Sequence, residues 1–333
     1  MSDGAGSVLV YSMGEVIGDG LIKLPVIGAL REAFPKARLS WCAASGRTVY
    51  AGPLAPVVEG VLDEIVTDPP TGAGPWDWLT ARRPFDGRRW EVVIDTQNNL
   101  RRSLVARRAA ERLFVSGAGG GGLSQRRLQS PLPEPVVPRL TALIGLAAGR
   151  PIEPRPLPLA HERALAAAET LLPRGPTYVA FAPGAGGANK RWPFERFVEL
   201  AAGQAERGRT PVFLIGPQEP ELAALVRARL PGALLPEADR TDPFGDVGGP
   251  LLVIAMAGRL AGAVANDAGP GHMLAAGGAP LLSLQLDRRR AFKFRPAARR
   301  LEMLVAEEAG PGGMSAIAVS AADAALERLL EAA

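Results

Sequence analysis

Short apolar segments alternate with longer stretches of helical periodicity along the whole chain of 333 residues. The short segments are rich in residues that favour buried strands, whereas the longer stretches place apolar residues three or four positions apart, as on one face of a helix. This alternation is typical of an α/β fold with parallel, doubly wound sheets. Strands are predicted at 8–11, 38–43, 63–67, 91–95, 177–182, 211–215, 261–265 and 280–284. Helices are predicted at 21–34, 100–110, 161–172, 193–207, 219–229, 251–260, from 269 onwards, and at 321–330.

The pattern starts twice, which predicts two domains, and a chain of this length suits two hydrophobic cores better than one. Four prolines in the segment 150–160 indicate a linker, so we expect a Rossmann-like N-terminal domain at 1–155 and a second one at 156–333. The last helix is a candidate to pack back on the N-terminal domain. A segment rich in glycine, serine and proline, 116–135, is predicted to be a mobile surface loop. Ligands of open α/β sheets bind outside the carboxyl ends of the strands, so two facing domains would place the active site in the cleft between them.

Composition and charge restrict the cellular compartment and the classes of ligand that the sequence favours. The one cysteine, Cys42, lies in a predicted strand and is interpreted as a small buried apolar residue, so no disulfide can form within the chain. The chain starts without a signal-peptide pattern, and no apolar run is long enough to span a membrane, which favours the cytoplasm. The net charge is +4, and arginine pairs recur in the first half. They suit a phosphorylated ligand or an anionic membrane surface, whereas no motif for binding nucleic acid is present.

Four polar segments follow predicted strands and carry the candidate chemistry. The first, at 12–20, contains Asp19 near the start of a helix, where its carboxylate could cap the helix or act as a general base. Glu15, in the same loop, is a competing base. The second segment, at 95–103, offers Asn99 and Arg101 to a sugar or phosphate, with helix capping and solvated arginines as the alternative.

The other two segments predict an anion site. The loop 183–193 joins small residues such as Gly184 to the cations Lys190 and Arg191 just before a helix, which favours a cradle for a diphosphate. The alternative is a flexible loop with incidental charges. In the segment 266–272, Asp267 and Gly269 open a helix whose N–H groups can bind an anion. His272 lies in the same turn, where a packed structural histidine is the alternative. No pattern of metal ligands is present, so we predict no metal and no cofactor.

Taken together, these four segments resemble glycosyltransferase family 9, the heptosyltransferases that build the lipopolysaccharide inner core. Its members show Gly-Asp followed four residues later by Leu-Pro, a strand ending D-x-Q-x-N-x-R-S, a P-G-A/S loop closing with K-R-W-P, and N-D-[ST]-G-P-x-H. The matching segments run in family order over almost the whole chain: Gly18-Asp19 with Leu24-Pro25, then 95–103 with one extra residue before Ser103, Pro183-Gly184-Ala185 with 190–193, and 266–272.

The resemblance implies the GT-B fold and an inverting, metal-independent transfer of a heptose-type sugar. The donor would be a nucleotide-diphospho-sugar such as ADP-heptose, and the acceptor a phosphorylated lipopolysaccharide core at the inner membrane surface. Asp19 would be the catalytic base, and the N-terminal domain would bind the acceptor through Gly18, Asn99 and Arg101. The C-terminal domain would bind the donor through Gly184, Lys190, Arg191, Asp267, Ala268, Gly269, Pro270 and His272.

Three departures from the family pattern keep alternatives open. Ala268 stands where the family has serine or threonine, and a longer loop before Gly18 leaves Glu15 ambiguous. After the strand 280–284 the chain continues Gln-Leu-Asp-Arg-Arg-Arg instead of a Gly-Pro-Thr turn, which leaves the donor's identity open. The alternatives are a GT-B transferase with another donor or acceptor, as in O-antigen or capsule synthesis, and a catalytically inert protein that binds nucleotide sugars.

Overall fold

A computed structural model describes residues 5–69, 84–216, 219–240, 243–245 and 247–331. The chain divides into two compact units, Met1–Pro158 and Leu159–Ala333. The sequence placed this division three residues earlier, inside the same proline-rich segment. Each unit contains its own parallel five-stranded sheet.

Unit 1 forms its sheet in the strand order β3-β2-β1-β4-β5, with every described pair parallel. Continuous apolar runs make the inner strands fully buried, as expected for a parallel sheet covered on both faces. The strands are β1 Ser7–Ser12, β2 Arg38–Ala43, β3 Glu64–Thr67, β4 Trp90–Asp95 and β5 Ala110–Ser116. The helices are α1 Ile17–Ala33, α2 Ala55–Val58, α3 Leu100–Arg108 and α4 Val136–Ala148.

Unit 2 repeats the architecture in the order β10-β9-β8-β6-β7, again with parallel pairs. Its core gathers Phe181, Trp192, Phe197 and Phe213 around the sheet. The strands are β6 Tyr178–Ala182, β7 Thr210–Phe213, β8 Gly262–Asn266, β9 Leu281–Gln285 and β10 Leu301–Val305. The helices are α5 Glu162–Leu171, α6 Phe194–Glu206, α7 Glu221–Arg229, α8 Gly249–Ala257, α9 Gly269–Ala276, α10 Arg288–Lys293, α11 Ala306–Ala309 and α12 Val319–Glu331.

The last helix, α12, uses its apolar face inside unit 2. Ala322, Ala325, Leu326 and Leu329 are buried in the core of that unit. That apolar face is thus taken up by unit 2, and packing of the helix on the N-terminal domain stays a prediction. Its amphipathic stripe fits the groove between α6 and the sheet, which a sequence pattern cannot distinguish from any other apolar surface.

Each sheet has a topological switch point, where the chain leaves neighbouring strands in opposite directions. In unit 1 this point lies between β1 and β4, and in unit 2 between β6 and β8. Ligands of such sheets bind outside the carboxyl ends of the strands at this point. The four polar segments singled out in the sequence follow these four strands.

Candidate functional site

The loop between β1 and α1 presents Asp19 on the first turn of the helix. The residue that caps α1 is Val16, with an extended backbone and no side-chain hydrogen bond, so the alternative in which Asp19 caps the helix is wrong. Asp19 is half-buried, and its carboxylate forms no hydrogen bond or ion pair with any residue that the structure describes. Gly18, just before it, is buried. Asp19 thus lies at the positive end of a helix dipole with its oxygens unused.

Glu15, the competing base, is fixed inside the protein. Its Oε1 atom accepts hydrogen bonds from Ser12 Oγ at 2.7 Å, Lys23 Nζ at 2.9 Å and Trp41 Nε1 at 3.1 Å. Its Oε2 atom is buried without a described partner. A carboxylate held by three donors and closed off from solvent is poorly placed to take a proton from a bound hydroxyl. Of the two acids in this loop, Asp19 is the one whose carboxylate is not already held by donors among the described residues.

The second segment of unit 1 is organised by Asp95 at the end of β4. This buried carboxylate accepts from Ser116 Oγ at 2.7 Å, from the Gln97 N–H at 2.9 Å and from Ser103 Oγ. Burial raises the pKa of Asp95, and these hydrogen bonds oppose the rise. Asp95 thus ties β4, β5 and the start of α3 together, which makes it a structural residue.

Asn99 and Arg101 lie at the exposed start of α3. The Asn99 side-chain oxygen caps the helix by accepting from the N–H groups of Arg101 at 3.1 Å and Arg102 at 3.3 Å. The capping alternative therefore holds for the Asn99 oxygen. The Arg101 side chain is exposed and makes no contact with a described residue that would neutralise its charge. Of the two residues, Arg101 is the one available to an anionic ligand.

In unit 2 the side chain of Asn266 joins the two candidate donor segments. Its Nδ2 donates to the Pro183 carbonyl at 2.7 Å, and its Oδ1 accepts from the Trp192 N–H at 3.0 Å. Asn266 is buried at the end of β8, next to β6. One amide thereby holds both ends of the loop 183–192 against the neighbouring strand, so the loop is not a loose connection.

Two cations meet on one buried carboxylate beside this loop. The Oδ2 atom of Asp267 lies 3.3 Å from Lys190 Nζ and 3.1 Å from Arg290 Nε, and Asp267 is only 5% exposed at its side chain. A single carboxylate cannot neutralise two cations, so the cluster retains a net charge of about +1. We refer to Lys190, Asp267 and Arg290 as the cation pair cluster.

The amino end of α9 adds a positive helix terminus to this edge of the sheet. Ala268 is the cap residue and has no side-chain hydrogen bond, while Gly269 and Pro270 begin the helix. The oriented N–H groups of a first helical turn carry about half a positive charge. His272, in the next position but one, is buried on the helix.

Arg191, also predicted to bind the donor, has its guanidinium engaged within the loop. It donates to the Ala185 carbonyl at 3.0 and 2.8 Å and lies 2.9 Å from Glu219 Oε1. Gly184 faces the same glutamate, because a Cβ there would come within 3.1 Å of Glu219 Oε2. Arg191 and Gly184 therefore shape the loop around Glu219.

Sequence reasoning missed Arg290 and Glu219. Arg290 was noted only within the basic segment that departs from the family pattern after the strand 280–284, without a role of its own, and Glu219 only as the start of a predicted helix. The sequence feature that could have pointed to Arg290 is Asp287, a residue type that favours helix caps. Its side chain caps α10 by accepting from the Arg290 N–H at 2.8 Å, which fixes the start of the helix and the position of Arg290 on it. In the described ranges, no group of three or more histidine, cysteine, aspartate or glutamate residues is arranged to hold a metal ion.

The sequence model of glycosyltransferase family 9 (heptosyltransferase) matches residues 78–311. The chain belongs to glycosyltransferase family 9. It is therefore a glycosyltransferase, as the four segments predicted. No protein with a curated function matches the sequence.

Solved structures show the same fold over the full length. The glycosyl transferase family 9 protein of Veillonella parvula DSM 2008 is similar with a TM-score of 0.73 at 18% identity, covering 100% of this chain and 99% of that one. The ADP-heptose LPS heptosyltransferase II of E. coli has a TM-score of 0.64 at 19% identity, covering 98% and 99%. The E. coli heptosyltransferase WaaC, solved with ADP, has a TM-score of 0.64 at 18% identity, covering 98% of both chains. The predicted α/β fold of the GT-B class is confirmed.

Proposed function

We propose that this family 9 glycosyltransferase transfers a heptose-type sugar from a nucleotide-diphospho-sugar, ADP-heptose, to a phosphorylated lipopolysaccharide core acceptor. The transfer inverts the anomeric centre and needs no metal ion. The observation that carries the proposal is the cation pair cluster at the switch point of unit 2, next to the amino end of α9. The structures of similar proteins with ADP and with an ADP-heptose analogue bound support the choice of donor.

A diphosphate leaving group requires positive charge, and unit 2 supplies it from side chains and backbone. Lys190 and Arg290 would take the diphosphate oxygens, and the first turn of α9 would add its N–H groups. Both cations already sit on Asp267, so binding the donor costs little reorganisation. Charge that develops on the leaving diphosphate is then stabilised without a divalent ion.

The remaining donor contacts orient the sugar and the nucleotide. Asp267 would hold the two cations and accept from sugar hydroxyls. Gly184 would let the loop backbone approach the donor closely. Pro270 and the buried His272 would keep the first turn of α9 rigid, and Ala268 would contribute its backbone only.

Asp19 would remove the proton from the attacking acceptor hydroxyl. General-base catalysis requires a carboxylate that is within reach of the hydroxyl and not already bound to donors. Asp19 has no described partner, whereas Glu15 has three. The transition state would be oxocarbenium-like, and attack from the face opposite the leaving group gives inversion.

Unit 1 would bind the acceptor beside this base. Gly18 would offer backbone at the helix start, while Asn99 and Arg101 would contact sugar or phosphate groups at the carboxyl end of β4. No helix among the described residues is long and apolar enough to cross a bilayer. We place the enzyme in the cytoplasm, in peripheral contact with the inner membrane where a lipid-linked acceptor is exposed.

The proposal is tested with a panel of nucleotide sugars and a Kdo-lipid acceptor. We expect nucleotide release that requires the acceptor, is fastest with ADP-heptose, and is unchanged by EDTA. Release with another nucleotide sugar but not with ADP-heptose would contradict the donor assignment. Binding without any release would identify an inert binding protein, and loss of the rate in EDTA would contradict metal independence.

A further inference from the structure

The outward face of α3 combines exposed leucines with arginines. At 3.6 residues per turn, Leu100, Arg101, Leu104, Arg107 and Arg108 fall within an arc of about 120°. All five are exposed, while Ser103, Val105 and Ala106 on the other side are buried against the sheet. We call these five residues the α3 outer face.

The leucines on this face are only partly covered by other parts of the described chain. Leu100 is 50% exposed and Leu104 is 36% exposed. Leu100 leans over the turn at Gly119, where a Cβ would come within 2.8 Å of Leu100 Cδ2. Because this turn has no side chain, it borders the leucine without burying it. A helix that already packs one apolar side on its sheet thus presents a second apolar ridge to the outside.

The charge of the α3 outer face is positive. The helix carries four arginines and no acidic residue. The side chains of Arg101 and Arg107 form no ion pair with any residue that the structure describes. Long basic side chains around an apolar ridge are the composition of helices that lie in the interface of an anionic bilayer.

The face also has the position that a lipid-linked substrate would require. α3 begins directly after the carboxyl end of β4, and Arg102 donates to Met13 Sδ at 3.1 Å in the β1–α1 loop. The face therefore starts at the edge of the sheet where Asp19 and Arg101 lie and runs away from it. A protein docked through α3 would present that edge to molecules embedded in the same membrane.

We propose that the α3 outer face binds the surface of an anionic lipid bilayer, with Leu100 and Leu104 inserted among the acyl chains and Arg107 on the lipid phosphates. The purpose of such docking, access to a lipid-linked acceptor, rests on the proposed function. The lipid binding itself is independent of the sugar that is transferred. An acidic protein or a nucleic acid would use the arginines but would have no need of the leucines.

The helix α7 offers a matched control in unit 2. Like α3 it has nine residues, with Leu225 at 39% exposure and Arg227 two positions later. Its charge is balanced, because Arg227 pairs with Asp239, Arg229 pairs with Glu195, and the helix contains Glu221. The variant L225S/R227Q therefore removes the same residue types as L104S/R107Q from a surface without an excess of positive charge.

The test is co-sedimentation of the full-length protein with vesicles of phosphatidylcholine alone or with about 30% phosphatidylglycerol. We expect wild type and L225S/R227Q to bind the anionic vesicles but not those of phosphatidylcholine alone. L104S/R107Q should bind the anionic vesicles with an affinity lower by roughly tenfold or more. The single variant L104S should lose part of this binding, since the leucine acts through the acyl chains. Thermal unfolding and acceptor-dependent nucleotide release with a water-soluble, deacylated acceptor should be the same for all variants.

Three results of the vesicle experiment would overturn the proposal. They are no preference of the wild type for anionic vesicles, equal losses in the α3 and α7 variants, and binding that L104S leaves intact while heparin or DNA competes for it. A loss of turnover on the soluble acceptor by L104S/R107Q would instead make the face part of the acceptor site and would equally contradict lipid docking. Absence of turnover in every variant, wild type included, would count against the proposed function while leaving the vesicle result to stand by itself.

Discussion

Lys190 and Arg290 both contact the same oxygen, Oδ2 of Asp267, and each is brought there by a different segment of unit 2. Asp287 fixes the start of α10, which follows the neighbouring strand β9, and α10 places Arg290 on Asp267. Lys190 arrives from the opposite side, from the loop that Asn266 holds. Neither cation needs to be recruited when an anion binds, because both are already held beside each other on Asp267.

Removing one cation should weaken donor binding. A charge-assisted hydrogen bond contributes about 1.5–3 kcal/mol, so Arg290→Gln and Lys190→Gln should each weaken ADP binding by about tenfold to a hundredfold. Isothermal titration calorimetry with ADP measures this directly. Arg288→Gln is the control, since Arg288 is exposed and pairs with Glu308. Equal affinities for Arg290→Gln and wild type would remove Arg290 from the donor site.

Glu237 gives a prediction about stability and pH. Burial raises the pKa of Glu237 from 4.5 to about 7, against the attraction of Arg240. The unfolded chain releases this proton near pH 4.5, so the stabilisation is complete below that pH and is lost as the pH rises through 7. Glu237→Gln should therefore raise the free energy of unfolding by about 1–2 kcal/mol at pH 8 relative to wild type and change little at pH 4.5.

Urea unfolding at both pH values measures the effect of Glu237→Gln. The exposed Glu206, changed to Gln, serves as the control and should show no such pH-dependent gain. A variant of Glu237 that is less stable than wild type at pH 8 would show that the carboxylate is charged and paired in the folded protein.

At the scale of elements, α12 is held to the second unit by charges as well as by its apolar stripe. Glu327 accepts from Arg209 at the start of β7 and from Gln204 of α6, at 2.8 and 2.9 Å. The hydrogen bond from Arg209 lowers the pKa of Glu327 to about 2. The same helix buries Leu326 and Leu329, so polar and apolar contacts fix one orientation of the helix.

The contribution of Glu327 should disappear in acid. Because its folded pKa is depressed, the stabilisation is present above about pH 4.5 and is lost as the pH falls through 2. Glu327→Gln should lower the free energy of unfolding by ~1 kcal/mol at pH 7, a value discounted for partial exposure. Denaturant unfolding at pH 7 and pH 3 checks this. A loss at pH 3 as large as that at pH 7 would indicate a packing effect instead of a charge effect.

The elements show which parts of the fold a sequence pattern can predict. β2 was predicted at its observed bounds and β1, β4, β6 and β8 within two residues, because continuous apolar runs between polar loops leave few alternatives. β5 was missed because it opens with exposed polar residues, and the predicted helix was extended into it. β10 was missed because its residues are all half-buried at the edge of the sheet.

The candidate site was predictable where it is local and not where it depends on tertiary contacts. The four segments follow strands, so the sequence could place them at carboxyl ends. The partners of Asp267 could not be found in this way, because Arg290 reaches it from another strand–helix connection. The capping role for Asp19 was wrong because α1 begins at Ile17 behind an apolar cap residue, against the usual preference for a polar one.

At the scale of the whole molecule, the two units divide the chemistry. Unit 1 carries the unpartnered carboxylate of Asp19 and the exposed Arg101, and unit 2 carries the cation pair cluster. The shared strand topology explains why both groups of residues lie at a switch point, although the residues themselves differ. The same architecture thus holds an unpartnered carboxylate in one unit and the cation pair cluster in the other.

The most direct test of this account compares Asp19→Asn with Glu15→Gln. Acceptor-dependent release of ADP from ADP-heptose should fall by roughly 10²–10⁴ in Asp19→Asn, with ADP binding unchanged, as expected for loss of a general base. Glu15→Gln should mainly lower the melting temperature, since it removes the charge facing Lys23 in a buried network. Wild-type turnover in Asp19→Asn, or an equal loss in a folded Glu15→Gln, would contradict the assignment of Asp19 as the base.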